Sequence, residues 1–365
     1  MRVTSVSADR IRSLAGVELD LDPRLTAIVG PNGAGKTNLI EAAYFGLTAR
    51  SFRTGERRDL IPFGTGWARA RIAVEADGGE RHEFMSSISR DQGTRFNMDG
   101  APIDRGEAAA HRPMVTVFSP DRLEIVKGPP AVRRAHLDTY IAARWPSRAE
   151  VRLRYGRALA QRNALISRIA SERGDPSQLA VWNRQVAVSG AELTRTREAA
   201  VSELIEPYAR AADDLGLEGD NQFSYRAGST SDATELESGL EQRLEADLRL
   251  GRTGWGPHQD ELRLEYRGRQ LRRFGSQGQQ RLGLLSLFFA ERDALLDGGA
   301  AAPLMLLDDV MSELDRQRRQ RLVDRLLEGG QAVVTAAESD LIPDSDQFTQ
   351  VRIRDLLADS TEGAA

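Results

Sequence analysis

The 365-residue sequence contains no cysteine, which excludes disulfide bonds and metal sites built on thiolates. No stretch approaches the roughly 20 consecutive apolar residues that a membrane-spanning helix needs. The first residues alternate like a β-strand and lack the apolar core of a signal peptide. These absences predict a cytoplasmic protein that works without a membrane.

Lysine is nearly as scarce as cysteine. Of the 50 basic residues only Lys36 and Lys127 are lysine, and all the others are arginine. The formal net charge of −4 neither indicates nor excludes a nucleic-acid partner, because phosphate binding depends on a local cationic surface. Because lysine is so rare in this sequence, a lysine at a position where phosphate binding requires one is evidence for phosphate binding.

Lys36 lies in a glycine-rich turn that follows the strand-like run Leu25–Val29 and precedes apolar residues at helical spacing. The turn, Gly30-Pro31-Asn32-Gly33-Ala34-Gly35-Lys36-Thr37, matches the P-loop pattern at every position. Glycines let the backbone N–H groups point at phosphate oxygens, and the following helix adds its positive end. We expect Lys36 to reach the β- and γ-phosphates of ATP, and the Thr37 hydroxyl to be a ligand of Mg²⁺.

A second motif comes near the other end of the chain, where the apolar run Leu304–Leu307 is followed by Asp308 and Asp309. This pattern predicts a buried parallel strand that ends in carboxylates at the edge where α/β sheets bind ligands. Taken alone, the pair is equally compatible with a strand-end cap. Adjacent side chains point in different directions, so we expect Asp308 to hold Mg²⁺ and Asp309 to act on the attacking water.

The third motif, Phe274–Arg281, contains Ser276, Gly278 and Gln279 at the start of an apolar helix. It predicts another anion-binding helix N-terminus, although a helix cap alone explains it equally well. A single nucleotide does not need two phosphate-binding sites from the same chain. Two chains arranged head to tail do need both sites, because each chain then covers the ATP bound by the other. Asp315 follows the aspartate pair at the spacing of a loop that crosses such an interface, and is a further candidate catalytic residue. The three motifs together predict an ABC-type ATPase that dimerises with ATP.

The remaining patterns suggest the domain order. Period-two alternation over Trp67–Ile103 predicts a small antiparallel sheet, and Val115–Phe118 a buried strand. Helical periodicity runs from about residue 121 to 250, with helices through Val151–Ile169 and Leu179–Tyr208. We expect an α/β fold: an ABC-type P-loop ATPase head with an antiparallel β subdomain, interrupted by an inserted helical arm. The expected parts are residues 1–120 (head), 121–250 (arm) and 251–365 (head again).

With these motifs, the sequence resembles the RecF family of bacterial recombination mediators, which is related to the SMC-type ABC ATPases. Segments outside the three motifs also carry the resemblance: Arg10–Ser13, Ser51–Thr54, Phe118–Asp121, Val126–Gly128, Arg133-Arg134, Leu137-Asp138 and Gly256–His258.

The resemblance implies an ATP-dependent homodimer with slow ATP hydrolysis, active in DNA replication, DNA repair and the SOS response to DNA damage. It implies binding of duplex DNA near single-strand gaps, RecR and RecO as partners, and RecA loading downstream. Carried over by position, Ser276 contacts the γ-phosphate of the opposite subunit and Arg12 lies beside the nucleotide. The implied nucleotide-binding residues are Arg12, Gly30, Pro31, Asn32, Gly33, Ala34, Gly35, Lys36, Thr37, Asn38, Ser276, Gly278 and Gln279, and those for Mg²⁺ are Thr37 and Asp308.

Some residues depart from the wider ABC pattern or have two interpretations. Ala336 stands where many ABC ATPases have a switch histidine, and Asp309 stands where ABC transporters have glutamate; both fit slow turnover. For His258 a structural role at the turn is favoured over catalysis or metal binding. The arginines at 133, 134, 152, 154 and 157 are candidates for DNA phosphates, although such runs are usually a solvated helix face.

Two other functions stay open. One is the ATPase subunit of an ABC transporter. The insertion of about 130 residues between the ATP motifs argues against it, because it is longer than the short helical subdomain of such subunits. The other is a monomeric P-loop phosphotransferase, which leaves Ser276–Gln279 unexplained.

Overall fold

The computed structural model describes residues 1–119, 123–343 and 346–362, without the side chains of residues 110, 313 and 358–362. Packing divides the chain into two compact units, which we call unit 1 (Met1–Arg122 with Ala301–Ala365) and unit 2 (Leu123–Ala300). The boundary predicted between residues 120 and 121 lies outside the described residues, as does the Pro120-Asp121 part of one motif. Residues 251–300 group with the helical segment in this division, so the boundary at residue 250 stays a prediction.

The strands are numbered along the whole chain. They are β1 (Arg2–Ile11), β2 (Leu14–Asp20), β3 (Leu25–Val29), β4 (Trp67–Glu75), β5 (Arg81–Ser89), β6 (Gly93–Met98), β7 (Ala101–Pro102), β8 (Val115–Phe118), β9 (Asn221–Arg226), β10 (Glu261–Tyr266), β11 (Arg269–Gln270), β12 (Leu304–Leu307), β13 (Gln331–Ala336) and β14 (Thr349–Arg352).

The α-helices are numbered in the same way. They are α1 (Lys36–Thr48), α2 (Arg105–Ala108), α3 (Glu124–Lys127), α4 (Pro130–Arg144), α5 (Val151–Ala170), α6 (Leu179–Asp214), α7 (Ala233–Gln242), α8 (Leu244–Leu250), α9 (Leu271–Phe274), α10 (Gln277–Asp297), α11 (Arg316–Leu327) and α12 (Ile353–Glu362).

Unit 1 contains a five-stranded sheet in the order β14-β3-β13-β12-β8, in which all the pairs are parallel. Every residue of β3, β12 and β13 is buried, which explains why these strands are mainly apolar and do not alternate between apolar and polar residues. The strands predicted at 115–118 and 304–307 are confirmed, and the second is a buried parallel strand.

The second sheet of unit 1 is antiparallel and has the order β2-β1-β4-β5-β6-β7. The antiparallel sheet predicted over 67–103 is confirmed, and β1 and β2 extend it. One face packs on α1, where Gly46 is essential to the close contact. A Cβ at Gly46 would lie 2.4 Å from Ile72 Cγ1, so a larger residue would push the helix away from the sheet.

Unit 2 is mainly helical. The predicted helix at 151–169 is α5, and the second predicted helix is α6, which continues beyond Tyr208 to Asp214 with Pro207 inside it. The helical region also contains β9, which the sequence analysis missed and which pairs antiparallel with β10. β9 has only six residues and is flanked by polar loops, so its alternation is too short to stand out.

Candidate nucleotide site

The P-loop of unit 1 connects the end of β3 to the start of α1 at Lys36. Gly35 is the N-cap residue of α1 and has a φ of +103°, which L side chains rarely adopt. Gly30 lies so close to α12 that a Cβ there would be 2.4 Å from Ile353 Cγ2. Gly35 is therefore required by the backbone conformation, and Gly30 by packing.

The Lys36 side chain is buried and folds back over this loop. Its ammonium group donates hydrogen bonds to the carbonyl oxygens of Gly30 (2.6 Å) and Pro31 (3.0 Å). Burial lowers the pKa of Lys36, while the nearby carboxylates of Asp309 and Asp308 act in the opposite direction. The lysine is thus held by carbonyl groups at the loop, next to the aspartate pair.

Asp308 joins the P-loop helix to the parallel sheet. The Thr37 hydroxyl donates to its carboxylate at 2.9–3.0 Å, and the Thr335 hydroxyl donates to the same carboxylate at 2.8 Å. Burial raises the pKa of Asp308, and the hydrogen bonds from the two threonines oppose that rise. Thr335 was not assigned a role from the sequence; the only signal was a polar residue that follows the apolar run of residues 332–334 in β13.

Asp309 has a φ of +47°, the left-handed region that non-glycine residues seldom occupy. Its backbone N–H donates to the Thr335 hydroxyl at 2.9 Å, which helps to fix the turn after β12. The Asp309 Oδ1 atom is buried and has no hydrogen-bond partner in the structure. An unsatisfied buried acceptor at this position is available to a water molecule or another donor.

The oxygen atoms of Thr37 and Asp308 converge, and they suit a hard cation. Mg²⁺ prefers oxygen ligands and is usually held by one or two carboxylates together with substrate phosphates and water. Among the described residues no group of three or more His, Cys, Asp or Glu side chains lies close enough together to hold a metal ion. The donors therefore fit Mg²⁺ as part of a nucleotide complex rather than as an independent metal centre.

Arg12 lies at the turn between β1 and β2, next to α1. Its guanidinium donates two hydrogen bonds, of 3.0 and 3.1 Å, to the fully buried carboxylate of Glu41. Ser51 donates to the same carboxylate, and Arg53 donates to the Asn38 side chain at 2.9 Å. Glu41, to which the sequence analysis gave no role, is thus the anchor that fixes Arg12 beside the P-loop helix.

The third motif belongs to unit 2, where Ser276 is the N-cap residue of α10. Its hydroxyl accepts a hydrogen bond from the Gln279 N–H at 3.2 Å, and the Gln279 side chain accepts one from the Ser276 N–H at 2.8 Å. This capping box fixes the first turn of the helix. Ser276 and Gly278 are exposed, so the helix start faces outward from its own unit.

Asp315 is the N-cap residue of α11, and its exposed carboxylate accepts a hydrogen bond from the Arg318 N–H at 2.9 Å. This contact is sufficient to explain an aspartate here. The catalytic role expected for Asp315 stays a prediction.

His258 has both ring nitrogens engaged within unit 2. Tyr155 Oη lies 2.7 Å from Nδ1, and Nε2 lies 3.1 Å from the carbonyl oxygen of Thr253. A carbonyl only accepts, so the proton is on Nε2, and burial lowers the pKa of His258 in agreement with a neutral ring. This arrangement supports the structural interpretation of His258.

Arg133, a candidate for DNA phosphates, is only 4% exposed. Its guanidinium bonds the Glu261 carboxylate at 2.9 Å and the Gly128 carbonyl at 2.9 Å. The suggested DNA contact is therefore wrong for Arg133, because this side chain is already used in packing. In contrast, Arg154 and Arg157 are exposed.

The structure thus brings together the P-loop, Arg12 and the aspartate pair in unit 1, whereas Ser276, Gly278 and Gln279 belong to unit 2. The family model described as RecF/RecN/SMC N terminal domain matches residues 2–357. A relative named DNA replication and repair protein RecF, from Anaeromyxobacter sp. (strain Fw109-5), is 36% identical over 94% of both chains. A protein of the same name from Kineococcus radiotolerans is 34% identical, with the same coverage.

The chain belongs to the RecF family. The solved structure described as recombination mediator protein RecF-ATP in the RecFOR pathway has a TM-score of 0.82 and is 27% identical, with 94% of both chains covered. An SMC head bound to the C-winged helix domain of ScpA has a TM-score of 0.57 at 17% identity, which supports the shared fold alone.

Membership of the RecF family confirms the predicted fold class, an ABC-type ATPase of mixed α/β content with parallel and antiparallel sheets. No helix in the described residues is long and apolar enough to cross a membrane.

Proposed function

We propose that this RecF-family chain is an ATP-dependent, DNA-binding recombination mediator. Two copies close over two ATP molecules, clamp duplex DNA near single-strand gaps and help to load the recombinase. Weak ATP hydrolysis then resets the dimer. The proposal depends on one observation: the P-loop and aspartate pair lie in one unit, while the exposed, capped start of α10 lies in the other.

Each group has a distinct task in this proposal. The P-loop N–H groups and Lys36 bind the phosphates, and Arg12, held by Glu41, lies beside the nucleotide. The Ser276 hydroxyl and the N–H groups of the exposed residues Gln277 and Gly278, which take no part in the capping box, bind the γ-phosphate of the ATP held by the second copy.

Thr37 and Asp308 are the residues placed to hold Mg²⁺. When bound, the ion would neutralise part of the charge on the phosphate groups. The same two residues bond each other directly in the structure, so the ligands are already aligned before the nucleotide complex arrives.

Asp309 is proposed to orient the attacking water and accept its proton. Its buried Oδ1, which has no partner, supplies the acceptor. Asp309 is shorter than glutamate, and Ala336 ends β13 without a histidine side chain. Both features support slow turnover, which suits a switch better than continuous catalysis.

The partners are proposed from the relatives. A solved relative is described as a recombination mediator in the RecFOR pathway, and others are named DNA replication and repair proteins. We therefore propose RecR and RecO as partners, RecA as the recombinase that is loaded, duplex DNA with single/double-strand junctions as the substrate, and the cytoplasm as the location.

The first test is sedimentation of the purified protein with and without ATP and Mg²⁺. We expect a monomer that becomes a dimer only with ATP, and a Ser276→Arg variant that stays monomeric. Ser276→Ala is a comparison variant, since it removes the hydroxyl and the helix cap, at a cost of about 1 kcal/mol, without placing a bulky cation in the interface, and we expect it to weaken the dimer less than Ser276→Arg does. Duplex DNA is then added to the ATP-bound dimer, and its capture is measured.

If ATP leaves the mass of the wild-type protein unchanged, the sandwich dimer is wrong and a monomeric phosphotransferase becomes the better interpretation. If the dimer forms but purifies with membrane proteins and does not bind DNA, a transporter subunit is favoured instead.

A further inference from the structure

The end of β13 lies against the aspartate pair of unit 1. Thr335, the next-to-last residue of this strand, is fully buried. Its hydroxyl donates to Asp308 Oδ1 at 2.8 Å and accepts a hydrogen bond from the Asp309 N–H at 2.9 Å. A hydroxyl has one proton to donate, so the proton is directed to the carboxylate while a lone pair accepts from the N–H. One side chain is thus bonded both to the residue proposed to hold Mg²⁺ and to the residue proposed to act on water.

The packing of the sheet does not by itself require a threonine at position 335. Valine has nearly the same shape and would fill the same buried space without a hydroxyl that needs hydrogen-bond partners. Thr116, in β8 of the same sheet, shows the contrast, because it is also buried and its hydroxyl has no hydrogen-bond partner within the described residues. The hydroxyl of Thr335, by comparison, uses its proton and a lone pair at the site.

The contact with Asp309 matters because the backbone of Asp309 is in an unfavourable conformation. Its φ of +47° lies in the left-handed region, which a non-glycine residue keeps only when its surroundings hold it there. Thr335 holds the N–H of Asp309, and the Ser312 hydroxyl donates to the carbonyl oxygen of Asp309 at 3.0 Å. The backbone conformation decides where the side chain points, and therefore where the buried, unpartnered Oδ1 atom of Asp309 lies.

The strand that carries Thr335 is itself fixed against the rest of the site. The carbonyl oxygen of Ala336, the following residue, accepts a hydrogen bond from the Gly30 N–H of the P-loop at 3.2 Å. Next to it in the sheet, the Asp308 N–H donates to the Phe118 carbonyl oxygen of β8 at 2.8 Å. The hydroxyl of Thr335 is therefore held by a central strand of the sheet, which places it more precisely than a loop would.

We propose that Thr335 is a positioning residue for ATP hydrolysis. It acts through Asp309, by holding the backbone in the conformation that directs Oδ1 towards the attacking water. The inference rests on the proposed role of Asp309 and extends it, because Thr335 serves the reaction without contacting nucleotide or water. Ala336 has no polar side chain, so the end of β13 contributes to the reaction through Thr335.

Thr335→Val tests this role, because it removes the hydroxyl and keeps the shape of the side chain. A small misplacement of a catalytic group can cost about a hundredfold in rate, so we expect kcat to fall about tenfold or more at saturating ATP and Mg²⁺. The Kd for ATP should stay at the wild-type value, and the ATP-bound dimer should persist longer in sedimentation. Thr116→Val is the matched control, because it makes the same change in the same sheet, and its kcat should equal that of the wild type.

Thr335→Ser separates positioning from a merely structural role. Serine keeps the hydroxyl but loses the methyl group, so kcat should recover although the variant leaves a small cavity and is less stable. A structural role predicts instead that the kcat of each variant follows its thermal unfolding midpoint, and equal losses of kcat in the serine and valine variants would overturn the inference. If Thr335→Val does not fold, Thr335→Ala gives the same comparison with serine.

A double-mutant cycle tests whether Thr335 acts through Asp309. Once Asp309→Asn has removed the carboxylate, the position of that side chain no longer affects the rate. Adding Thr335→Val to Asp309→Asn should therefore slow single-turnover hydrolysis by less than about twofold. A further loss as large as that in the wild-type background would show that Thr335 acts through another group, and the inference would be wrong.

The outcomes separate this inference from the proposed function. If Asp309→Asn hydrolyses ATP normally, the role of Asp309 and the inference are both wrong. If Thr335→Val hydrolyses ATP as fast as Thr116→Val does, only the inference is wrong. If the wild-type protein stays monomeric with ATP, while Thr335→Val still slows hydrolysis and serine restores it, the sandwich dimer is wrong and the inference stands.

Discussion

Asp308 combines two opposing requirements at a single residue. A metal ligand needs the ionised carboxylate, whereas burial favours the neutral form and raises the pKa of Asp308. Thr37 and Thr335 stabilise the ionised form only in part. In the absence of nucleotide and metal, the ionised Asp308 is therefore expected to destabilise the fold.

Asp308→Asn should consequently raise the thermal unfolding midpoint of the nucleotide-free protein at pH 7. The folded pKa exceeds the unfolded one, so stability is lost as the pH rises through the interval between them. The increase in the unfolding midpoint should therefore disappear below pH 3.8, the ordinary pKa of Asp, where Asp308 is protonated in both the folded and the unfolded wild type. Calorimetry from pH 3.5 to 8 measures the unfolding midpoints, with Asp20→Asn at an exposed position as control. An increase in the midpoint that is independent of pH would mean that the ionised Asp308 carboxylate does not destabilise the fold.

Lys36 offers a second prediction for a single residue. Lys36→Ala removes the ammonium that sits at the P-loop, so ATP affinity should fall by at least about tenfold, and dimerisation with it. Lys127→Ala, the same change at the exposed second lysine, is the control. Titration with a fluorescent ATP analogue measures the affinity, and equal losses in the two variants would mean that Lys36 has no specific role.

At the level of elements, buried ion pairs join the helices of unit 2. Arg162 of α5 is fully buried and donates to Asn183 of α6, to Asp247 of α8 and to Thr253, at 2.6–2.7 Å. The helices are thus connected through one guanidinium whose hydrogen bonds are nearly all satisfied. This arrangement specifies how α5, α6 and α8 pack, because any shift leaves a buried charge without its partner.

Arg162→Ala should therefore destabilise the protein by about 3–5 kcal/mol, since it leaves the buried Asp247 carboxylate unpaired. Urea denaturation followed by far-UV circular dichroism measures the change in the free energy of unfolding. The control Arg210→Ala breaks an exposed pair with Glu206 and should cost less than about 1 kcal/mol. Equal effects would show that the Arg162 network contributes no more than a surface pair.

The elements differ in how well the sequence predicts them. β8 and β12 could be predicted to the residue because buried parallel strands are short, uninterrupted apolar runs between turn signals. β9 could not, since only Asn221 and Phe223 of its residues are buried and the long helices around it dominate the pattern.

The candidate site shows the same difference. Its motifs have fixed spacing and could be predicted, whereas Glu41 and Thr335 act through contacts between segments far apart in sequence. Arg133 was misjudged for the same reason, because its partner Glu261 is distant along the chain.

For the whole molecule, the proposed cycle couples ATP hydrolysis to opening of the dimer. Dimer formation needs only nucleotide binding, while opening needs the water attack in which Asp309 is proposed to act. The two steps therefore depend on different residues and should be separable by mutation.

Asp309→Asn should reduce ATP hydrolysis by about a hundredfold or more, while the ATP-bound dimer persists and stays on duplex DNA. Phosphate release measures the hydrolysis, and sedimentation with labelled DNA measures the lifetime of the dimer. Asp340→Asn, at an exposed position, is the control. Normal hydrolysis by Asp309→Asn would mean that another group is the catalytic acceptor.

The order of the parallel sheet in unit 1, β14-β3-β13-β12-β8, has a consequence for biosynthesis. β3 and β8 leave the ribosome early, yet in this sheet they are separated by β13 and β12, which are translated after the whole of unit 2. Pairings over such long sequence separations form slowly, and they cannot form before β12 and β13 have been translated. We therefore expect the parallel sheet of unit 1 to form only after unit 2 has been synthesised, with the apolar segment of β3 accessible to chaperones until β12 and β13 have followed.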